Sequence, residues 1–148
     1  MQGQTNPVGA RLWSTVGLAT AAAVLLMSLT VLAGWLFGID VLKRMSTAPV
    51  AMNPVTAVLF ALCALILYGA GRPKWRKTCR VLGSVVVAVA LVRMLGYVGL
   101  DVGVDRILFP GRLAQESGTP NRMAPNTALA FLLLSLAQHL ALSGVAGQ

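Results

Sequence analysis

Acidic side chains are nearly missing from this chain: Asp40, Asp101, Asp105 and Glu116 are the four carboxylates in 148 residues. All four fall in or beside connections between apolar blocks, so no pair of carboxylates is offered across a cleft for general acid–base work. Histidine occurs once, as His139, and cysteine twice, as Cys63 and Cys79. That supply excludes a paired-cysteine metal site and a disulfide framework, and the expectation is free thiols and no metal. The sequence also lacks G-x-x-x-x-G-K-[ST], G-x-S-x-G and H-E-x-x-H, the local frames for phosphate cradling, serine attack and zinc hydrolysis. Catalysis by this chain is not expected.

What is abundant is apolar surface. Hydrophobic residues make up 57% and charged residues 11% of the sequence, far from soluble norms. They gather in four blocks of membrane-spanning length, Trp13 to Phe37, Val55 to Gly71, Val81 to Leu100 and Pro125 to Leu142. The second is short and needs flanking residues or local thinning of the bilayer to complete a span. The first is too long for a signal peptide and has no clean small-residue cleavage site, so it reads as a retained helix. The expected fold is therefore all-α: an integral membrane four-helix bundle in a single domain covering residues 1–148.

A net charge of +8 does not require nucleic acid here. Arg72, Lys74, Arg76, Lys77 and Arg80 crowd one tight connection with no acidic residue among them, whereas the other two connections mix signs. The excess of basic residues assigns that connection to the cytoplasm, and four spans then bring both termini to the same side. The same basic connection suits anionic lipid headgroups.

The chain also repeats itself. Met52-Asn53-Pro54-Val55-Thr56-Ala57 matches Met123-Ala124-Pro125-Asn126-Thr127-Ala128 at a constant offset of 71 residues, and Gly34, Gly38 and Asp40 match Gly99, Gly103 and Asp105 at an offset of 65. The difference places six extra residues in the second outer loop, in a stretch holding Gly111, Glu116, Ser117, Gly118 and Pro120. Each unit is a helix leaving the cytoplasm, a G-x-x-x-G-[IV]-D segment, an outer loop and a returning helix. Repeat one covers about 13–71 and repeat two about 81–142. Parallel copies of a hairpin predict pseudo-two-fold symmetry about the membrane normal.

Pro54 and Pro125 suit the first turn of a helix, with Asn53 as a cap in the first copy and Asn126 or Thr127 serving the orphan amides in the second. One reading makes both motifs plain helix starters. Another notes that two such starts, related by symmetry, aim dipole ends and polar side chains at one region able to hold a small polar or anionic ligand. The glycine pairs suit close helix contact if their segments stay helical. Asp40 and Asp105 are expected to cap short interfacial helices or to pair with Lys43, Arg44 or Arg106. Trp35, Trp75 and Tyr97 are expected as interface anchors, with Trp13 marking the inner start of the first span.

Two ionisable residues lie within apolar blocks, where charge is costly. Arg93 lies about 18 Å along its helix from Val81, in the outer half, where it can snorkel, pair with Asp101, or meet a carbonyl or a lipid phosphate. His139 lies about 21 Å beyond Pro125, toward the cytoplasmic side. A lone histidine cannot supply both axial ligands of a haem, so a haem or quinone reading of His139 requires a methionine, another molecule or a second chain. The candidate ligand site comprises Arg93, Asp40, Asp105, Asn53, Asn126 and Thr127.

These segments, from Gly34-Trp35-Leu36-Phe37-Gly38-Ile39-Asp40 through Met52-Asn53-Pro54-Val55-Thr56-Ala57 and Gly103-Val104-Asp105 to Arg122-Met123-Ala124-Pro125-Asn126-Thr127-Ala128, resemble the N-terminal membrane region of certain bacterial sensor histidine kinases and diguanylate cyclases. The resemblance covers residues 13 to 142. It implies a sensory input module in the bacterial inner membrane, working as a homodimer and relaying to cytoplasmic kinase or cyclase domains. In such proteins a long cytoplasmic part follows the fourth helix, so the expectation is either an excised sensory region or a stand-alone relative. Two other functions compete: a small assembly subunit of a larger membrane complex, and a haem- or quinone-binding redox subunit.

Overall fold

The computed structural model describes residues 7–44, 51–114 and 121–144. Helix follows helix, and no strand occurs among the described residues. The elements are α1 (Pro7–Phe37), α2 (Asp40–Arg44), α3 (Pro54–Gly69), α4 (Arg76–Tyr97), α5 (Pro110–Leu113) and α6 (Pro125–Gly144), with single 3-10 turns at Pro73–Trp75 and Val104–Arg106. Helix α1 packs on α3, α3 on α4, and α4 on α6. The insertion around Glu116, Ser117, Gly118 and Pro120 lies outside the described residues, as do the side chains of Arg11 and Trp13.

Three helices are long and apolar enough to cross a membrane, over Ser14–Phe37, Pro73–Tyr97 and Pro125–Ser143. The fourth apolar helix, α3, has 16 residues and rises about 24 Å, short of a 30 Å hydrocarbon layer. Its position answers that shortfall. Val55, Leu59, Cys63 and Ile66 of α3 are buried, and they join Val86 and Ala90 of α4, Phe131 and Leu142 of α6, and Cys79 in the clusters that hold the helices together. Large apolar side chains instead face outward on the long helices: Leu26 and Leu29 on α1, Val81 and Leu91 on α4, Leu133 and Leu140 on α6. Small or polar residues turn inward, with Ser28, Ala90 and Ser135 fully enclosed. This distribution suits a lipid solvent, where association depends on close packing and satisfied polar groups rather than on hiding leucine. Ser28 Oγ donates to Val24 O at 2.7 Å and Thr30 Oγ1 to Leu26 O at 2.9 Å, whereas the enclosed Ser135 Oγ has no hydrogen-bond partner among the described residues.

Both proline motifs start helices at the proline. Asn53 caps α3 by accepting from Val55 N at 2.8 Å, and Asn126 Oδ1 accepts from Thr127 N at 2.9 Å within the first turn of α6.

Several expectations need correction. Helix α4 begins at Arg76, so Cys79, expected in the basic loop, is a helical residue and fully buried. Its Sγ would lie 2.7 Å from a Cβ at Gly69, which is why the α3–α4 turn closes so tightly. Both cysteines are free. Trp35 is no interface anchor: it is wholly enclosed, because its indole Nε1 donates to Met52 O at 2.8 Å while its ring stacks on Phe109. The glycine pairs do not form continuous helical stripes either. Gly38, Gly99 and Gly103 take φ of 75°, 102° and 72°, a left-handed geometry that ends helices and turns loops. Gly34 alone serves close contact, since a Cβ there would lie 2.7 Å from the backbone nitrogen of Lys43 on α2.

The Gly34→Val substitution is expected to lower stability in detergent by about 1–3 kcal/mol, the usual range for overpacking. Gly71→Val, at a site with nothing within 4 Å, should leave the unfolding midpoint in place. Equal midpoints for the two variants would show that α2 does not rest on α1 this closely.

Candidate functional site

At the end of the bundle opposite the basic turn, the chain builds a buried polar cluster around Arg93. The guanidinium is always charged and is 3% exposed, as is Asp105, with Asn53 at 4%. Asp105 arrives there by local geometry. Gly103, in a left-handed conformation, opens the 3-10 turn Val104–Arg106, and Asp101 Oδ1 accepts from Gly103 N at 3.0 Å to hold that turn. The carboxylate of Asp105 then reaches Arg93, with Nε to Oδ2 at 2.9 Å.

The segment before α6 closes the cluster through its backbone. Met123 N donates to Asp105 Oδ1 at 3.2 Å, and Met123 O accepts from Arg93 Nε at 3.3 Å and also from the Tyr97 hydroxyl. Arg93 Nη2 in turn donates to Tyr97 Oη at 2.9 Å, and the guanidinium carbon lies 4.4 Å from the Tyr97 ring centre. Tyr97 is therefore partly exposed and at the same time a member of this network. Asn53 joins the connection entering α3 to the one between α4 and α6: its Nδ2 donates to Asn121 O at 2.8 Å and Asp105 O at 3.3 Å, while Asn121 Nδ2 donates to Ala51 O at 2.8 Å. At the rim, Asp101 faces Arg122 at 3.2 Å and Arg93 at 4.0 Å.

Of the six residues expected to form one site, Arg93, Asp105 and Asn53 meet. Asp40 does not: it is exposed at the start of α2 and pairs with Lys43 at 2.6 Å, and Lys43 in turn lies over the Trp35 ring at 4.8 Å. Asn126 is exposed and Thr127 half-buried, both engaged in starting α6. Of the partners open to Arg93, a carbonyl is supplied by Met123 O and Asp101 stands at 4.0 Å, while the closest carboxylate is Asp105, which the turn at Gly103 carries inward. Asn121 and the Met123 backbone were not singled out from the sequence. An asparagine two residues before the repeated Met123 was the available signal, but only a fold shows which carbonyls it reaches.

In comparisons with known proteins, no family model, no curated protein and no solved structure matches the chain.

Further along α6, His139 is half-buried with Nδ1 3.0 Å from Ser135 O. Its ring lies against Gly83 of α4, where a Cβ would fall 2.5 Å from Cε1. Among the described residues no three His, Cys, Asp or Glu side chains come together to hold a metal. The chemistry of the Arg93 cluster is thus electrostatic: a fixed cation, a buried carboxylate and oriented backbone groups.

Burial pushes the Asp105 carboxyl above the ordinary carboxylate range, against the opposing pull of the Met123 amide and Arg93. The Gly103 amide, then Arg122 and Arg93, hold Asp101 below that range. As pH falls, Asp105 should take up its proton before Asp101 does, discharging the anionic half of the buried pair first. Carbon-13 NMR titration of the two carboxyl groups in detergent checks this order, and Asp101 protonating first would refute it. Arg93→Gln leaves Asp105 charged and unpaired in a dry site, and should cost about 3–5 kcal/mol of stability. The Arg93→Gln/Asp105→Asn double variant should recover part of that loss in a denaturation series.

Proposed function

We propose that the chain is a membrane-embedded sensory input module, detecting a polar ligand or a membrane state at the outer cluster and passing a helix displacement to cytoplasmic partners. The observation that carries this reading is the buried Arg93–Asp105 pair, which joins α4, the turn before α5 and the segment entering α6 through one charge. A clamp of that kind has two arrangements. When Asp105 holds Arg93, α4 and α6 are tied together at their outer ends. An anion that competes for Arg93 frees the Val104–Arg106 turn and the Met123 segment, so binding energy differential between the two states biases the position of α6.

The remaining parts of the reading follow from the sequence. The basic turn, Arg72 to Arg80, lies on the cytoplasmic side of a bacterial inner membrane, the chain crosses four times, and both termini share that side. Two hairpin repeats are related by a pseudo-two-fold axis along the membrane normal. In support, α1 packs on α3 and α4 on α6, and α3 and α6 each start at the proline of the repeated motif. The module works as a homodimer coupled to a kinase or cyclase.

A second reading, an assembly subunit of a larger membrane complex, draws on a different feature. Val41, Val98, Val102 and Ile107 in the outer connections are 69–82% exposed, an apolar rim that neighbouring subunits would cover.

Native mass spectrometry of the gently extracted chain, with an absorbance spectrum on the same sample, separates the readings. The sensory reading expects a homodimer and a small anionic ligand retained by the wild type and lost from Arg93→Gln. Recovery only with unrelated membrane subunits selects the assembly role. A haem spectrum abolished by His139→Ala would instead select the redox role.

A further inference from the structure

The other end of the bundle carries a feature that the outer cluster does not use. Between α1 and α3 a crevice of about 400 Å³ opens to the surface, within the range of sites that hold small ligands or lipid chains. Leu18 and Leu25 of α1 and Leu65 of α3 wall it, and Ala21, Ala22 and Ala64 leave the space that larger side chains would fill. Its lining is apolar up to Tyr68, which lies in the last turn of α3.

Tyr68 joins the crevice to the basic turn. Arg72 lies over its ring, with Cζ 3.7 Å from the centroid and Nη1 donating to Tyr68 O at 3.1 Å. Trp75 packs edge-on against the same ring at 6.2 Å. From Arg72 to Arg80 the chain then presents five cations and no acid, and one guanidinium nitrogen of Arg76, Nη2, is enclosed without a hydrogen-bond partner. An apolar slot therefore runs to an interfacial Tyr/Trp pair and ends at uncompensated positive charge. That is the order of chemistry along a phospholipid: acyl chain, glycerol backbone, phosphate.

The geometry points to a specific site for one anionic phospholipid of the adjoining leaflet, with an acyl chain in the α1/α3 crevice and its phosphate on Arg72 and the neighbouring cations. A zwitterionic lipid offers the same chain but brings its own cation to the headgroup position, so charge at the basic turn discriminates between them. The site rests on the bilayer-spanning reading of the helices and not on the sensory one.

The test uses the full chain in detergent with equimolar phosphatidylglycerol and phosphatidylcholine, read by native mass spectrometry. Wild type should retain phosphatidylglycerol in preference. Arg72→Gln should lower that retention about fivefold, the expectation for one interfacial cation, and leave phosphatidylcholine unchanged. Ala22→Phe fills the crevice from its exposed wall and should reduce retention of both lipids, with helical content and unfolding midpoint as the check on folding. Equal retention of the two lipids by wild type, or retention indifferent to both variants, overturns the site. So does efficient disulfide cross-linking of Ala22→Cys chains in membranes, which would show that a second copy covers the crevice. A chain that does not enter nanodiscs at all would instead remove the bilayer-spanning reading beneath it.

Discussion

A guanidinium that cannot lose its charge sits on an apolar helix, and much of the end of the bundle opposite the basic turn is organised to neutralise it. Arg93 is enclosed, so it needs both a counter-ion and acceptors for its fork of donors. Asp105 supplies the first, and Met123 O and Tyr97 Oη supply the others. Each supplier is in turn constrained. Gly103 must adopt a left-handed turn, Asp101 must hold that turn, and the segment before α6 must pass Arg93 so that the N–H and C=O of Met123 both meet the ion pair. One charge on α4 thus sets the path of both ends of the connection between α4 and α6.

Asn53 extends the same constraint to α3. It caps that helix with its oxygen and uses its nitrogen on the carbonyls of Asn121 and Asp105. The shortest apolar helix is thereby fixed at one end by polar contacts and at the other by the tight Gly69–Cys79 approach. Between these ends it is packed by neighbours rather than by lipid, which is how a helix of 16 residues is accommodated beside longer ones.

The two ends of the bundle differ in kind. At the end that carries Arg93, charges are paired, buried and held by backbone groups. At the basic end Arg72, Lys74, Arg76, Lys77 and Arg80 have no acidic partner within their segment, and the apolar crevice beside Tyr68 adds a shaped slot to that charge.

Composition and block length by themselves determined that the chain is helical, apolar and of membrane-spanning length, since those depend only on hydropathy summed over about twenty residues. The proline-led starts of α3 and α6 and the cap at Asn53 were equally legible, because capping is local chemistry. The importance of Arg93 was legible too, from the cost of its charge. That it meets Asp101 and a carbonyl was among the readings; that Asp105 makes the closer pair was not, because that turns on a positive φ at Gly103 that also makes Gly99–x–x–x–Gly103 a loop rather than a helix-packing stripe. Trp35 was legible as an aromatic near a helix end, but its burial depends on Phe109 and on the Met52 carbonyl, both distant in sequence. Which of several equivalent polar residues enters a core is decided by where turns deliver them, and only the tertiary structure contains that information.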